Sequence, residues 1–396
     1  MTDPGDLTGL LGWLNPKLQL NYGSRTVTLN DPLLRTVPIL YMTGHNYFQV
    51  GPDWPVLLRR YLEDGGMLIA EACCGRPPFV ESFQRVYPGI FPDKPLRRLP
   101  PDHPVYQCYY DLPEVEMMRD EKTYMEPPEL YGTDIGCRTA LIFSKADLSC
   151  GWDRHTHPEG LRFMPEDAMK AGTNMVIYAL ACRRYAETYA TQERLTGEEG
   201  EWVVGHLMHN GDWNPNPYAV SRLLSEFAAQ SGAELQIRSK PIRPTEEELG
   251  KYPFVYMTGH YDFTLTPEAR LALGRYLRGG GFMLVNNCCG RQEFDRAFRR
   301  EITQIIPDAS LAPVSLSAPL FRIPFPVERV SYALARIDPG RPPVEGLVLG
   351  GRLGLLYMKH GLENGWADLE YPFGNCLVRE DSLKLGVNAL IYAMSH

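Results

Sequence analysis

Apolar positions in this 396-residue chain fall into short continuous bursts separated by stretches with helical spacing, and that alternation predicts parallel α/β structure. The second half shows it most fully. Trp202 to Met208 reads as a buried strand, followed by the loop His209 to Pro217. Tyr218 to Gln230 then sets Val220, Leu223, Leu224, Phe227 and Ala228 at helical spacing, with Ser231-Gly232 as a stop. Glu234 to Ile237 is a short second strand and Phe254 to Met257 a third. A helix opened by Pro267 and closed by Gly279 leads to a fourth strand, Phe282 to Val285. Phe294, Phe298, Ile302 and Ile305 then mark one face of a helix from Glu293 to Ile306. There the alternation stops. A proline-dotted stretch, Pro307 to Pro326, leads to a hairpin signature: Gly350-Gly351 between Leu347-Val348-Leu349 and the run Leu353 to Met358. A last helix is expected from Asp381 to Met394.

The first half repeats this plan. Tyr41 to Arg76 matches Tyr256 to Arg291 at 17 of 36 positions, without a gap, at an offset of 215. Such self-similarity marks a duplicated unit. Each copy reads as a strand ending in TGH, a helix ending in RYL, a Gly-Gly turn and a strand ending in CCGR. Two strands joined by such a crossover run parallel, so TGH and CCGR finish at the same carboxyl edge of the sheet, where open α/β sheets place their ligands. Downstream, Gly151-Trp152, Gly172 and Asn174 match Gly365-Trp366, Gly386 and Asn388 at an offset of 214. Upstream, Leu7, Leu10, Leu11 and Leu14 supply a helix face, but no first strand precedes it. The expected domains are therefore 1–182, short by one strand, and 201–396, complete, joined by a polar linker over 183–200. The early start of the first copy reads as a truncation, with a possible upstream domain of the same polypeptide.

Composition narrows the partners. The chain is 44% hydrophobic and 22% charged, with 40 basic against 48 acidic residues and a net charge of −8. That balance offers no footprint for nucleic acid or an anionic membrane surface, and no apolar run reaches the ~18 residues of a membrane span. An unknown small molecule or protein is the expected partner. Nine cysteines, an odd number with two adjacent pairs, do not form a disulfide-framework pattern and favour free thiols in a reducing, cytoplasmic setting. A signal lost upstream would change that assignment.

Candidate chemistry concentrates at the carboxyl edges. A thiol in the tight turn between strand and helix sits near the positive helix end, as in a nucleophile elbow, and Cys73 and Cys288 hold the elbow position two residues before Gly75 and Gly290. Glu71 and Asn286 stand where the tightest elbows need glycine. The competing reading is that the turn merely requires small residues, with Cys74 and Cys289 as ligand contacts. His45 and His260 end the neighbouring strands; they either pair with a cysteine, join further ligands on zinc, or hydrogen-bond the following loop. Because adjacent cysteines rarely both face one ion and no CxxC is present, neither a metal nor a cofactor is expected. His157-Pro158-Glu159, present only in the first copy, would supply a base and its orienting carboxylate, or is a polar loop. His103 is likewise present once. Asp212, Trp213 and Asn214 form either a helix-capping turn or a ligand contact, and Arg76 and Arg291 either clamp an anion or form a structural ion pair. Trp152 and Trp366 read as packing residues.

The combination of GDWN, YMTGH-x-x-F, RYL-x-x-GG, CCG-x-x-x-F and G-x-N-x-x-x-YA, covering both copies almost end to end, resembles the bacterial family catalogued as domain of unknown function 4159. That family is similar to the class I glutamine amidotransferase superfamily. The resemblance implies two flavodoxin-like domains, each a three-layer sandwich around a mainly parallel sheet. TGH would replace the superfamily's oxyanion loop, CCG would replace its nucleophile elbow, and His157 with Glu159 would match the amidotransferase His-Pro-Glu element. The second copy has Tyr371-Pro372-Phe373 there, so no copy holds a full glutaminase set. Two functions follow as expectations: a ligand-binding or interaction module, or a cysteine-dependent amidohydrolase using Cys73 and His157.

Overall fold

The computed structural model describes residues 5–119, 121–155, 160–192, 202–231 and 237–395. The chain divides into two compact units, Met1–Ala190 and Thr191–His396. Each is a mixed α/β unit built on a largely parallel sheet.

The first unit opens with helix α1 (Asp6–Leu18), then β1 (Ile39–Gly44), α2 (Trp54–Glu63), β2 (Met67–Ala72) and α3 (Pro77–Ile90). Short β3 (Arg97–Arg98) is followed by a ribbon of β4 (Val115–Arg119) and β5 (Lys122–Glu126), then β6 (Leu130–Ile135) and β7 (Arg138–Ser144). Helix α4 (Ser149–Trp152), β8 (Leu161–Phe163), α5 (Pro165–Ala181) and α6 (Arg183–Ala190) complete it. The sheet order is β1-β2-β7-β6-β3, parallel through β7 and antiparallel beyond, while β5-β4-β8 form a separate small sheet. The residues of α6, expected as linker, pack into this unit: Tyr185 is buried and its Oη accepts from the Cys137 N–H at 2.8 Å.

The second unit runs β9 (Trp202–Leu207), α7 (Ala219–Ser231), β10 (Ile237–Ile242), α8 (Glu246–Leu249), β11 (Phe254–Gly259), α9 (Pro267–Arg278), β12 (Phe282–Asn287) and α10 (Gln292–Ile305). It ends with β13 (Ala312–Pro313), β14 (Val344–Leu349), β15 (Arg352–Met358), α11 (Glu363–Trp366) and α12 (Arg379–Ser395). Its seven strands are ordered β10-β9-β11-β12-β15-β14-β13, parallel up to β15. The hairpin expected at Gly350-Gly351 joins β14 to β15, with both glycines at positive φ. Of the strand expected at 234–237, only Ile237 is described, and it opens a strand that continues to Ile242.

The first sheet is short by two strands where one was expected: neither β9 nor β10 has a counterpart among its described residues. The two go together physically. In the second unit β10 bonds only to β9, so without a strand in the β9 position an outer strand has no ladder to join.

Strand alternation divides the core between two faces. In the second unit Val255, Met257, Met283, Val285, Leu355 and Tyr357 pack on α9 and α10 through Leu273, Leu277, Phe294, Phe298 and Ile302. The opposite face carries Tyr256, 5.7 Å from the Trp366 ring, and Phe282, 5.6 Å from Tyr392. Each fully buried side chain of this size contributes about 1.5–3 kcal/mol. The repeated RYL-x-x-GG has a specific cause. Tyr61 and Tyr276 fold back under the Gly-Gly turn, Tyr276 donating to the carbonyls of Pro253 and Phe282 at 3.0 and 2.9 Å. A Cβ on Gly66 or Gly281 would lie 2.2 or 2.3 Å from that ring. The helix is thereby tied to both strands it connects. No helix among the described residues is long and apolar enough to cross a membrane.

Candidate functional site

Parallel pairing of Gly44 with Ala72 and Gly259 with Asn287 brings the TGH and CCG ends to a common edge in each unit. In the first unit His45 Nε2 stands 3.3 Å from Cys74 Sγ. In the second, a His260 ring nitrogen and the sulfurs of Cys288 and Cys289 lie within 4.8 Å of one another. The imidazole and thiol meet in both copies, as the sequence reading required.

The turn itself departs from that reading by one residue. Cys74 and Cys289, not Cys73 and Cys288, hold the left-handed backbone, at φ 56° and 60°. Cys73 and Cys288 are each 1% exposed, whereas Cys74 is half-buried. The following glycines hold positive φ as well, and a Cβ on Gly75 would meet the Leu161 carbonyl oxygen at 2.6 Å. The sharpest change of direction therefore falls at the second cysteine. None of the shifts found on these thiols favours thiolate. Burial, then the neighbouring Cys73, pushes Cys74 up to about 12; burial and the Glu363 carboxylate raise Cys288. Cys73, Cys74, Cys108, Cys150, Cys182, Cys288 and Cys376 are in no disulfide, but Cys289 is disulfide-bonded, so the expectation of free thiols fails at one of the two edge cysteines of the second unit.

Below each turn lies a buried carboxyl group. Glu71, fully buried on β2, accepts from Tyr41 Oη at 2.9 Å, from Thr43 Oγ1, and from the Leu148 N–H at 3.1 Å. In the second unit Asn286 stands at that strand position and accepts from the Leu362 N–H at 2.9 Å. The carboxyl has moved to Glu363 on α11, where it accepts from Tyr256 Oη at 2.7 Å. The acid keeps its place in space beside the same tyrosine while changing its place in the sequence. Burial pushes both Glu71 and Glu363 up to about 7. Two imidazoles of the second unit go the other way, burial lowering His206 to about 3 and His209 to about 4.

Asp212 Oδ2 lies 2.8 Å from His260 Nδ1, with Asp212 at φ 63°, so the GDWN loop is locked onto the TGH end. Trp213 packs edge-on to His206 with centroids 4.9 Å apart; Asn214 is half-buried beside it. Arg291 lies over the Tyr261 ring at 5.7 Å, and Arg76 is exposed at the start of α3. His103 is not brought to this edge. Its Nδ1 accepts from the Val105 N–H at 3.1 Å and its Nε2 lies 2.9 Å from Thr139 Oγ1, at the amino end of β7, because it follows the antiparallel return of the chain. Trp152 and Trp366 are each 1% exposed and donate to the Ala168 and Ser382 carbonyls, as packing residues should. His157 and Glu159 lie outside the described residues.

Sequence reasoning passed over three residues that reach the edge. Cys150 Sγ lies 4.0 Å from Cys73 Sγ and 3.9 Å from Cys74 Sγ. Asp147 is fully buried beside it, and Glu363 carries the relocated acid. The signal was available in the repeat: Cys150 and Ser149 directly precede the aligned Gly-Trp pair, where the second copy has Asn364 and Glu363.

These features define a protein of two related α/β domains, each with a mainly parallel sheet and a polar cluster at its carboxyl edge. Residues 2–180 and 203–394 both match the family described as a domain of unknown function, DUF4159, and the chain belongs to that family as a tandem duplicate. No curated protein matches the chain.

Proposed function

We propose that this chain is a binding protein of flavodoxin-like, amidotransferase-like architecture without glutaminase activity, and that its second domain takes a small uncharged polar molecule at the carboxyl edge. The observation that carries this reading is a set of buried polar atoms on β9 and the loop that follows it with no hydrogen-bond partner among the described residues: His206 Nε2 and both Oδ1 and Nδ2 of Asn216. Buried polar atoms are ordinarily satisfied, so a group of them marks a place where an external molecule completes the bonding. Their protonation states select its charge. Burial holds His206 neutral at pH 7, Asn216 is an amide and burial favours the uncharged form of the neighbouring Glu363, so the edge offers donors and acceptors of little net charge. Trp213 supplies an adjoining ring face for a polyol or amide.

The alternative, a cysteine hydrolase using Cys73 and His157, draws indirect support from the neighbouring thiol, since His45 approaches Cys74 at 3.3 Å over the left-handed turn. Against it stands the upward shift of the Cys74 and Cys288 thiols, the reverse of nucleophile activation. The direct experiment is a thermal-shift panel of monosaccharides, polyols and primary amides on the full chain. One class should raise the melting temperature, and Asn216→Ala should abolish that rise. If no class shifts the protein, or if the shift survives Asn216→Ala, the reading fails.

A further inference from the structure

We propose that the first domain binds one thiophilic metal ion, zinc, through the thiolates of Cys73, Cys74 and Cys150, with Asp147 Oδ2 as the fourth ligand. The site lies in the first domain and stands apart from the ligand reading made for the second.

The sulfur geometry carries the inference. The three Sγ atoms are separated by 3.9, 4.0 and 3.9 Å, an almost equilateral triangle. Its centre is about 2.3 Å from each corner, equal to the ~2.3 Å zinc–thiolate bond. Tetrahedral thiolates at that bond length stand about 3.8 Å apart, so a contraction of ~0.1–0.2 Å lifts the ion out of the sulfur plane toward a fourth ligand. No pair is close to the ~2.05 Å of a disulfide. Adjacent cysteines do face one centre here, because the left-handed backbone at Cys74 turns its side chain back toward that of Cys73.

A second observation points the same way. Asp147 is 0% exposed, and its Oδ1 accepts from Ser149 Oγ at 3.1 Å and from the Cys150 N–H at 3.0 Å. Its other oxygen, Oδ2, is buried with no hydrogen-bond partner. A carboxylate oxygen of Asp147 lies within 4.8 Å of all three sulfurs, so the bonds of Oδ1 orient Asp147 and Cys150 together while Oδ2 is left for coordination. His45 Nε2, 3.3 Å from Cys74 Sγ, is placed to donate a hydrogen bond to a coordinated thiolate. Three thiolates and one carboxylate around a divalent zinc carry the same net charge as a four-thiolate zinc site. On binding, each thiol forms one sulfur–metal bond and releases its proton to solvent. The second domain has Asn364 and Gly361 at the positions of Cys150 and Asp147, so it does not repeat this donor set.

The test uses the full chain, purified without a metal-affinity tag, stripped by chelation and titrated with cobalt(II). One equivalent should produce a thiolate-to-cobalt charge-transfer band in the near ultraviolet together with the visible bands of a tetrahedral site, and zinc should bleach both. Cys150→Ser should weaken the charge-transfer band by about one third, one thiolate of three, while Cys182→Ser leaves it unchanged. Asp147→Asn should keep the charge-transfer band and alter the visible bands. Absence of the band at one equivalent, or full strength in Cys150→Ser, overturns the proposal. Should a variant fail to fold by circular dichroism, the wild-type chain decides alone: zinc must slow alkylation of the peptides holding Cys73, Cys74 and Cys150, and equal rates with and without zinc overturn it.

Discussion

Among single residues, the relocated acid explains most about how the two copies differ. Tyr256 Oη is the hydrogen-bond donor that satisfies Glu363 Oε1, and both groups are buried. Removing it leaves a buried carboxyl oxygen unpaired, which costs about 1–3 kcal/mol. Tyr256→Phe should therefore lower the unfolding free energy from denaturant titration by about 1–3 kcal/mol, and a variant as stable as wild type would show that the bond contributes nothing. The pH dependence has a definite sign. Glu363 has a folded-state pKa near 7 against an ordinary 4.5, so the folded protein holds the proton more tightly. Its stabilising contribution is complete below pH 4.5 and is lost as pH rises through about 7. Measured against Glu363→Gln, wild type should lose on the order of a few kcal/mol across that interval and then level off. His206 and His209, whose pKa values are depressed, act in the opposite direction as pH falls below 6.5, and both are present in each member of the comparison. A difference that grows with pH would refute the assignment. The repeat shows Glu363 standing where the first copy has Ser149, but not that it replaces Glu71, because the two acids occupy non-equivalent positions in the alignment.

For whole elements, the strand–helix–strand unit was legible because its signals are local. Apolar runs, Pro267 at a helix start with Thr266 capping it, and Gly279 at its end each act within a few residues. What remained hidden was the rotation of the CCG turn, which depends on one residue entering left-handed space and carries no periodic signature. The β4–β5 ribbon was equally silent, a pairing of short strands whose solvent face shows little apolar alternation. The turn is nonetheless open to test. Gly290 has φ 68°, and an added Cβ would lie 2.8 Å from Asn375 Cβ. Gly290→Ala should destabilise by roughly 1 kcal/mol or more, from backbone strain plus the clash. Gly12, within α1 and with nothing within 4 Å of its Cβ position, is the control, where alanine should stabilise by up to ~1 kcal/mol. Equal effects at the two sites in a thermal melt would show that the turn is not specially constrained.

Seen as a whole molecule, the chain is one domain plan used twice and equipped differently. The first copy gathers three thiols and an aspartate around its turn; the second gathers neutral imidazole, amide and carboxyl groups. The duplication was visible in sequence because buried parallel strands and their connecting turns tolerate few substitutions, whereas the divergence sits in residues brought together from separate elements. Both copies share the property on which the account rests: in the metal-free protein one edge thiol in each, Cys74 and Cys288, has its pKa raised by burial rather than lowered as a nucleophile requires. The decisive measurement is the peptide-resolved rate of iodoacetamide reaction at Cys74 and Cys288 in the chelated protein, followed against pH beside a free cysteine. The account predicts that both react more slowly than free cysteine at pH 7, Cys74 on the order of a hundredfold or more, with rates still rising above pH 9. A rate faster than free cysteine at pH 7, reaching its plateau below neutrality at either residue, would contradict it.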